Sequence, residues 1–263
     1  MEQYQTIEFE QQGSVGTIWL NRPEKHNAFN DIMIGELAAC FRETSGIDGI
    51  RLVILRGKGK SFCAGADLNY MKSVATFGYQ QNFEDGKKLA ALFETIYHCP
   101  VPSIAVVHGA CFGGANGLIA ACDIVIAEEN TNFAFSEVKL GIAPATIGPF
   151  ILKRVGEFMG KELMMTGRRF KGREAEKAGL VNKAVPGEEL EDVLQNYISE
   201  FMTAAPGAVK ATKRMIDHAV NDDREELADY TADLIAQLRA SDEGQEGMAA
   251  FLEKRKPLWG DLD

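Results

Sequence analysis

The stretch from His108 to Asp123 reads HGACFGGANGLIAACD and holds four glycines and six small apolar residues. Its apolar character predicts a buried helix that begins at Gly113 and Gly114, with Gly117 one turn further on. Glycine inside a helix costs roughly 0.5–1 kcal/mol relative to alanine. Three glycines within five residues therefore need a compensating reason. Two reasons stay open here: close packing through small residues, or the approach of a ligand to the free N–H groups and dipole of a helix N-terminus.

Around this stretch, short β-rich runs alternate with helical runs. The first two strands suggest a hairpin with its turn near Gln12, and Asn30 or Asp31 is a typical helix cap. Strands separated by helices indicate an α/β fold with parallel connections. The expected strands are Thr6–Glu10, Val15–Leu20, Leu52–Arg56, Ser103–Val107, Ile124–Ala127 and Asn132–Phe135. The expected helices of this half begin at Asn30 or Asp31, at Asp67 and at Phe83, and they end near Thr44, Ser73 and Tyr97.

The pattern changes after residue 186. Four helical segments follow, separated by prolines, and their apolar faces need either the core or other subunits to cover them. We therefore expect an α/β core over residues 1–186 and a helical region over residues 187–263. The four expected helices are Glu188–Thr203, Gly207–Val220, Arg224–Ala240 and Glu243–Lys254.

Composition limits the classes of function. The chain has 263 residues and a formal net charge of −10, which argues against nonspecific nucleic-acid binding. The polar, acidic N-terminus is not typical of a secretory or transit peptide, and the apolar runs are too short to span a bilayer. No metal-ligand cluster is evident. Five scattered cysteines without CxxC spacing indicate reduced packing residues of a cytoplasmic protein. They are Cys40, Cys63, Cys99, Cys111 and Cys122.

Two further segments have chemical potential. The loop SFCAGADL, residues 61–68, follows a strand and presents backbone N–H groups near Ala66. Together with an N–H at the glycine-rich helix, it would supply two donors to one oxyanion, each typically worth about 2.7–4 kcal/mol in a transition state. In FAFSEVKLGI, residues 133–142, Glu137 stands among apolar residues, where a carboxyl has a raised pKa and suits general acid–base work. A capping or ion-paired Glu137 is the alternative.

Taken together, these segments resemble the enoyl-CoA hydratase/isomerase (crotonase) family, and the matching stretches occur in family order across nearly the whole chain. They are NRPEKHNAF (Asn21–Phe29), SFCAGADL, VHGACFGGANGLIAACDIVIA (Val107–Ala127), FAFSEVKLGIAPA, GRRFKGREAEKAGLVNKAV (Gly167–Val185) and AFLEKRKPLW (Ala250–Trp259). The resemblance implies an α/β crotonase-like spiral of repeated ββα units with a C-terminal helical trimerisation region. It also implies a homotrimer or homohexamer and an acyl-CoA substrate. No cofactor besides that coenzyme A is expected, because no other cofactor site is visible in the sequence. The net charge of −10 and the short apolar runs argue against a nucleic-acid or membrane partner.

The same resemblance implies roles for individual residues. The backbone N–H groups of Ala66 and Gly114 would stabilise an enolate at the thioester oxygen, and Glu137 would be the general acid–base. Asn69 stands where some members have a basic residue, which leaves one contact with coenzyme A in doubt. The residues implied to bind coenzyme A are Lys25, Ala64, Ala66, Asp67, Leu68, Phe251 and Lys254, the last two often serving a neighbouring subunit.

One position departs from the hydratase pattern. Hydratases of this family typically carry a second glutamate three residues after the oxyanion glycine, and this chain has Gly117 there. A lone Glu137 favours an isomerase, because moving a double bond needs only one group that removes and returns a proton. The whole-chain likeness to bacterial methylglutaconyl-CoA hydratase-like proteins of leucine degradation favours hydration, with Gly117 leaving room for a branched or carboxylated acyl chain.

The leading hypothesis is therefore hydration or dehydration of a 2-enoyl-CoA thioester, with 3-methylglutaconyl-CoA among the candidates. An enoyl-CoA isomerase is the alternative, followed by other enolate chemistry and by a non-catalytic CoA-binding scaffold. Lys139 or Arg154 is a candidate partner for a substrate carboxylate. His108 and Asp123 are expected to have structural roles.

Overall fold

The predicted N-terminal hairpin is confirmed. The computed structural model describes residues 4–221 and 224–260. In it, β1 and β2 pair antiparallel, with Ile7 opposite Leu20 and Gln12 opposite Val15. The nine strands of the described residues are β1 (Ile7–Gln12), β2 (Val15–Leu20), β3 (Leu52–Gly57), β4 (Ser103–Val107), β5 (Ala110–Phe112), β6 (Ile124–Glu128), β7 (Asn132–Ala134), β8 (Arg169–Lys171) and β9 (Lys183–Val185).

Six of the strands form one sheet in the order β1-β2-β3-β4-β6-β9. Every pair after the first hairpin is parallel. All five residues of the central strand β4 are buried, since both faces of the sheet are covered by helices. The predicted parallel α/β arrangement is confirmed.

A second, smaller sheet has the order β5-β7-β8. Isolated parallel bridges from Phe29 to Ala66 and from Cys63 to Cys111 extend the same kind of pairing into the loops. A strand of the large sheet is thus followed by a strand or bridge of the small layer and then by a helix. This is the repeated ββα unit that the resemblance implied.

Helices complete each turn of the repeat. The helix α1 starts as expected at an Asn30 cap, whose side chain accepts a hydrogen bond from the Met33 N–H. The helices of the described residues are α1 (Asp31–Ser45), α2 (Leu68–Val74), α3 (Tyr79–Tyr97), α4 (Ala115–Ala121), α5 (Gly148–Thr166), α6 (Gly172–Lys177), α7 (Leu190–Thr203), α8 (Pro206–Asn221), α9 (Arg224–Ala240) and α10 (Asp242–Glu253). Short 3-10 helices lie at Pro23–Lys25, Ser136–Leu140, Gly187–Glu189 and Leu258–Gly260.

The glycine-rich stretch forms the expected buried helix, with Gly114 as its N-cap, but a short strand that was not expected precedes it. Residues Ala110–Phe112 form the strand β5, and the helix α4 begins only at Ala115 and spans seven residues. The turn at Gly113, whose φ is +54°, and the helix cap Gly114 separate the strand from the helix. So short a helix has a small macrodipole, and the individual N–H groups of this turn matter more than the dipole.

The core lies on both faces of the large sheet. One cluster joins the sheet to α1, α3, α4 and α5. On the other face, Leu190, Val193 and Leu194 of α7 pack on Leu52 and Ile104. All five cysteines are buried and unpaired, which confirms their packing role. Among the described helices, none is long and apolar enough to cross a membrane.

Candidate active site

The two loops singled out in the sequence lie side by side. The Cys63 N–H donates to the Ala110 carbonyl at 3.0 Å, and the Phe112 N–H donates to the Cys63 carbonyl at 3.2 Å. Gly65, with φ of +97°, passes so close to β5 that a Cβ there would lie 3.0 Å from the Phe112 carbonyl oxygen. The 61–68 loop and the glycine-rich turn therefore form one continuous surface.

Phe29 connects both loops and is a site residue that the sequence did not single out. Its N–H donates to Gly65 O and its carbonyl accepts from the Asp67 N–H, each at 2.9 Å. Its buried ring packs on Gly114, where a Cβ would come within 2.6 Å of Phe29 Cζ. Phe29 fixes Ala66 relative to Gly114, and its aromatic ring leaves no space for a side chain at 114. The only signal in the sequence was its place at the end of the NRPEKHNAF stretch.

The backbone donors of Ala66 and Gly114 are free within the fold. In the part of the chain that the structure describes, neither N–H donates to a backbone carbonyl in a turn or loop. By contrast, the neighbouring N–H groups of Gly113 and Asp67 are both used, to Ala134 O and Phe29 O. Unpaired N–H groups in half-buried positions are ready to bind an oxygen with partial negative charge.

Glu137 lies beside this turn. A Cβ on Gly113 would stand 3.5 Å from Glu137 Oε1 and 4.0 Å from Ser136 Oγ, so the carboxyl faces the glycine that precedes Gly114. The segment that carries it, Ser136–Leu140, follows β7, whose parallel pairing with β5 sets this proximity. The structure thus brings together Glu137 and Gly114, which are 23 positions apart in the sequence.

The environment of the Glu137 carboxyl is apolar. Among the described residues, its Oε2 is buried without a hydrogen-bond partner, and none of their ion pairs includes Glu137. Burial raises the pKa of the carboxyl, and a hydrogen bond from its own backbone N–H offsets only part of that rise. The ion-paired alternative for Glu137 is therefore wrong, and a half-buried carboxyl with a raised pKa is suited to proton transfer.

The position of the second family glutamate is filled by apolar side chains. A Cβ on Gly117 would lie 2.5 Å from Ile147 Cγ2 and 2.6 Å from Phe93 Cζ. Both of those side chains are almost wholly buried. The expectation that Gly117 leaves room for an acyl chain is wrong, because Phe93 and Ile147 occupy that volume.

Asp67 holds the end of the 61–68 loop through charge. Its carboxylate caps α2, binds Arg22 at 2.8 Å and lies 3.3 Å from Lys25 Nζ. Burial opposes ionisation, but the hydrogen bonds from Arg22, the Asn69 N–H and Lys25 outweigh it and lower the pKa of Asp67 to about 2. The Asp67 carboxylate thus has a structural role, while the Lys25 side chain remains 44% exposed.

The other residues implied to bind coenzyme A fall into two places. Ala64 and Leu68 belong to the same loop: the Ala64 N–H donates to His26 O at 2.9 Å, and Leu68 is 75% exposed. A cleft of about 780 Å³ adjoins this loop and is lined by Arg22, Lys25, Asp67, Asn69, Tyr70 and Lys88 among others. Phe251 and Lys254 lie on and just after α10, and the Phe251 side chain is 83% exposed. Exposure of this kind leaves Phe251 available to another subunit.

Of the two basic residues considered for a substrate carboxylate, Arg154 is excluded. Its guanidinium donates to the carbonyls of Ala120 at 3.0 Å, of Cys122, and of Leu180 at 3.4 Å. It closes the C-terminal end of α4, whose last carbonyls have no partner within the helix. Lys139 is exposed, with its Cε 3.3 Å from the position of a Gly167 Cβ, and its role stays a prediction.

His108 and Asp123 have the structural roles that were expected. The His108 Nε2 lies 2.9 Å from the Gly59 carbonyl oxygen. Asp123 accepts hydrogen bonds from the Ser103 N–H at 2.7 Å and its hydroxyl at 3.0 Å, and it pairs with Lys213 at 2.7 Å. Both residues join segments of the scaffold around the site.

Comparison with known proteins independently supports the resemblance to the enoyl-CoA hydratase/isomerase family. The family model described as enoyl-CoA hydratase/isomerase matches residues 10–262. A short-chain-enoyl-CoA hydratase of Clostridium acetobutylicum is 33% identical over 94% of this chain and 94% of its own. The solved structure of Pseudomonas aeruginosa AtuE superposes with a TM-score of 0.95 at 34% identity, covering 98% of this chain and 100% of that one. An enoyl-CoA hydratase of Shewanella pealeana gives a TM-score of 0.93 at 34% identity, covering 98% and 97%.

Proposed function

Since this chain belongs to the enoyl-CoA hydratase/isomerase family, we propose that it adds water to the double bond of a 2-enoyl-CoA thioester. The observation that carries the proposal is the Glu137 carboxyl, half-buried, free of ion pairs and set beside Gly113 next to a free backbone donor. The hydratase names of the relatives support the same reaction class. The protein is thus an enzyme of the lyase type.

The role proposed for Ala66 and Gly114 is to hold the thioester oxygen. When a nucleophile adds to the carbon–carbon double bond, negative charge moves to that oxygen and an enolate develops. Two fixed N–H donors stabilise this charge more than they stabilise the ground-state carbonyl, and each is typically worth about 2.7–4 kcal/mol. Because both N–H groups are free within the fold, no hydrogen bond is broken when the substrate binds.

The role proposed for Glu137 is to move the proton. The carboxylate takes a proton from water as the water oxygen bonds to C3 of the acyl chain, and the carboxyl then delivers a proton to C2 of the enolate. One O–H bond of water and the π bond between C2 and C3 are broken, one C–O and one C–H bond are formed, and Glu137 returns to its starting charge. A raised pKa keeps the protonated form of Glu137 accessible for the second step. With Gly117 enclosed by Phe93 and Ile147, Glu137 acts without a second glutamate at that position.

Coenzyme A is proposed to lie along the 61–68 loop, against Ala64, Ala66 and Leu68, with Lys25 near its phosphates. Phe251 and Lys254 would contact it from a neighbouring subunit, in a homotrimer or homohexamer formed by the region 187–263. The exposed apolar side chains of Phe251 and Leu252 on α10 support such an assembly. Coenzyme A would enter only as part of the substrate, and the chemistry needs no other cofactor.

The experiment follows the ultraviolet absorbance of the conjugated enoyl thioester with purified protein. Crotonyl-CoA, 3-methylglutaconyl-CoA and a 3-enoyl-CoA are offered in turn, with Glu137→Gln as the control. Loss of absorbance from a 2-enoyl substrate, abolished in the control, is the expected result. Binding of all three thioesters without turnover would instead point to a CoA-binding scaffold and would refute the proposal.

An isomerase remains the second candidate, and one observation favours it. The filled space at Gly117 removes the second carboxylate, whereas shifting a double bond from the 3- to the 2-position needs only one proton carrier. A gain of absorbance from the 3-enoyl-CoA, with no loss from either 2-enoyl substrate, would establish that reaction. Preference for 3-methylglutaconyl-CoA over crotonyl-CoA would support a carboxylated substrate, with Lys139 as the basic residue to substitute first.

A further inference from the structure

Asn116 is the one polar side chain of α4, whose residues Ala115–Ala121 read ANGLIAA and are all buried. Its amide is wholly buried, and its Oδ1 has no hydrogen-bond partner among the residues that the structure describes. A polar side chain inside a short apolar helix, with an unpaired acceptor, destabilises the fold locally. The hydrogen bonds that the Asn116 Nδ2 donates must therefore offset this cost.

That donor half binds two backbone carbonyls at once. The Asn116 Nδ2 donates to Gly113 O and to Ala134 O, each at 3.0 Å. The Asn116 backbone N–H donates to the same Gly113 carbonyl at 2.9 Å. Two hydrogen bonds from one residue therefore fix the direction of the Gly113 carbonyl.

The direction of that carbonyl determines where the Gly114 donor points. The peptide between Gly113 and Gly114 is planar and trans, so its C=O and its N–H point in opposite directions. The N–H of this peptide is the Gly114 donor. Hydrogen bonds accepted by the carbonyl also polarise the amide and strengthen the N–H as a donor, because chains of hydrogen bonds are cooperative.

The second carbonyl links Asn116 to the segment that carries Glu137. Ala134 is the last residue of β7 and precedes Glu137 by three positions. The Gly113 N–H also donates to Ala134 O, at 2.9 Å. The Asn116 amide thus links the turn at Gly113 and Gly114, called the oxyanion turn below, to the strand that leads to the proposed general acid–base.

We propose that Asn116 is a positioning residue that aims the Gly114 N–H at the thioester oxygen and keeps Glu137 in register with it. This inference rests on the proposed function, since it assigns a second layer to the same oxyanion site. Asn116 is wholly buried and acts through the Gly113–Gly114 peptide.

The test compares Asn116→Ala with Asn132→Ala. Asn132 is a matched control because its amide also donates to a glycine carbonyl, Gly109 O at 3.3 Å, away from the oxyanion turn. We expect Asn116→Ala to lower kcat for crotonyl-CoA about 10- to 100-fold, because a displaced oxyanion donor loses much of its effect. The KM of Asn116→Ala should stay within about twofold of wild type. Both the kcat and the KM of Asn132→Ala should also stay within about twofold of wild type, the size of a weak surface effect.

A spectroscopic measurement separates positioning from mere stability. Butyryl-CoA, labelled with ¹³C at the thioester carbonyl, is saturated and cannot be hydrated, so infrared difference spectra report the bound carbonyl directly. Binding to wild type should move the carbonyl stretch to lower frequency, and Asn116→Ala should lose a large part of that shift while Asn132→Ala retains it. Equal shifts in wild type and Asn116→Ala would overturn the inference. If wild type hydrates crotonyl-CoA but shows no shift, the Ala66–Gly114 oxyanion hole itself is wrong and the inference fails with it.

Asn116→Ser keeps the test available if the alanine variant does not fold. A serine hydroxyl in a helix donates to the carbonyl three or four residues earlier, so it reaches Gly113 O but not Ala134 O. We expect Asn116→Ser to lose part of the infrared shift and part of kcat relative to wild type, because the hydrogen bond to Ala134 O is absent, but to lose less than Asn116→Ala where that variant folds. The role of the amide would be refuted by an Asn116→Ser variant that folds, binds butyryl-CoA and has the kcat and the infrared shift of wild type. This holds whether Asn116→Ala is equally unaffected or does not fold.

Discussion

Phe93 and Ile147 fill the volume beside Gly117, and Gly117→Ala probes that volume with a single methyl group. The new Cβ would lie 2.5 Å from Ile147 Cγ2 and 2.6 Å from Phe93 Cζ, closer than carbon atoms approach without displacement. Both neighbours are buried in the core and have little freedom to move away. Overpacking of this kind typically costs about 1–3 kcal/mol. Alanine regains roughly 0.5–1 kcal/mol of helix preference, so we expect a net destabilisation of about 0–2.5 kcal/mol.

Gly86→Ala is the matched control for that variant. Gly86 also lies inside a helix, α3, but a Cβ there would meet no atom within 4 Å. Without a clash, the same substitution should raise the free energy of unfolding by about 0.5–1 kcal/mol. Urea unfolding followed by circular dichroism gives both values. If Gly117→Ala stabilises the protein as much as Gly86→Ala does, the space beside Gly117 is open, Phe93 and Ile147 do not fill it, and room for an acyl chain there is restored.

Three further predictions follow from the site. Burial raises the folded-state pKa of Glu137 above its unfolded value, so its contribution to stability is lost as pH rises through the raised pKa. The free energy of unfolding of Glu137→Gln, measured by urea unfolding, should therefore rise relative to that of wild type as pH increases from 4 to 7. A difference between the two proteins that does not change with pH would contradict the burial of the Glu137 carboxyl. Lys254→Ala should raise KM for crotonyl-CoA about 2- to 5-fold at unchanged kcat, as for a solvent-exposed ion pair, with Lys256→Ala as control. Arg154→Lys should cost about 1–3 kcal/mol of stability through lost hydrogen bonds, without changing the preference between crotonyl-CoA and 3-methylglutaconyl-CoA; a changed preference would restore Arg154 as a substrate contact.

The parts of the fold that the sequence predicted well are those set by local pattern. The hairpin, the Asn30 cap, the strand Ser103–Val107 and the helix Arg224–Ala240 each depend on periodicity or capping within their own segment. The strand β5 was missed because its three residues gain their pairing from β7, more than 20 positions later. A strand this short has no period of its own to read.

The site divides in the same way. Glu137, Ala66 and Gly114 were singled out through residue type and family resemblance, and the structure brings Glu137 beside the turn that carries Gly114. Phe29 and Asn116 were missed, because their importance lies in contacts with loops that only the fold brings near. Arg154 was misassigned for the reverse reason: closeness in sequence suggested the site, whereas its guanidinium binds the end of α4.

Gly113, Gly114 and Gly117 can now be given separate reasons. Gly113 supports a turn with positive φ beneath the Glu137 carboxyl, and Gly114 accepts the Phe29 ring while leaving its N–H free. Gly117 has no contact with that chemistry, because it admits Phe93 and Ile147 where a second carboxylate would stand. In the proposed reaction, proton transfer therefore depends on Glu137 alone. No second acid at position 117 would compensate for an error in the alignment of Glu137 with the proposed oxyanion donors. Under that condition, the alignment provided by the buried Asn116 amide, which links the Gly113 carbonyl to the strand before Glu137, offsets the cost of leaving its Oδ1 unpaired. The kinetic effect of Asn116→Ala measures how strictly that alignment is required.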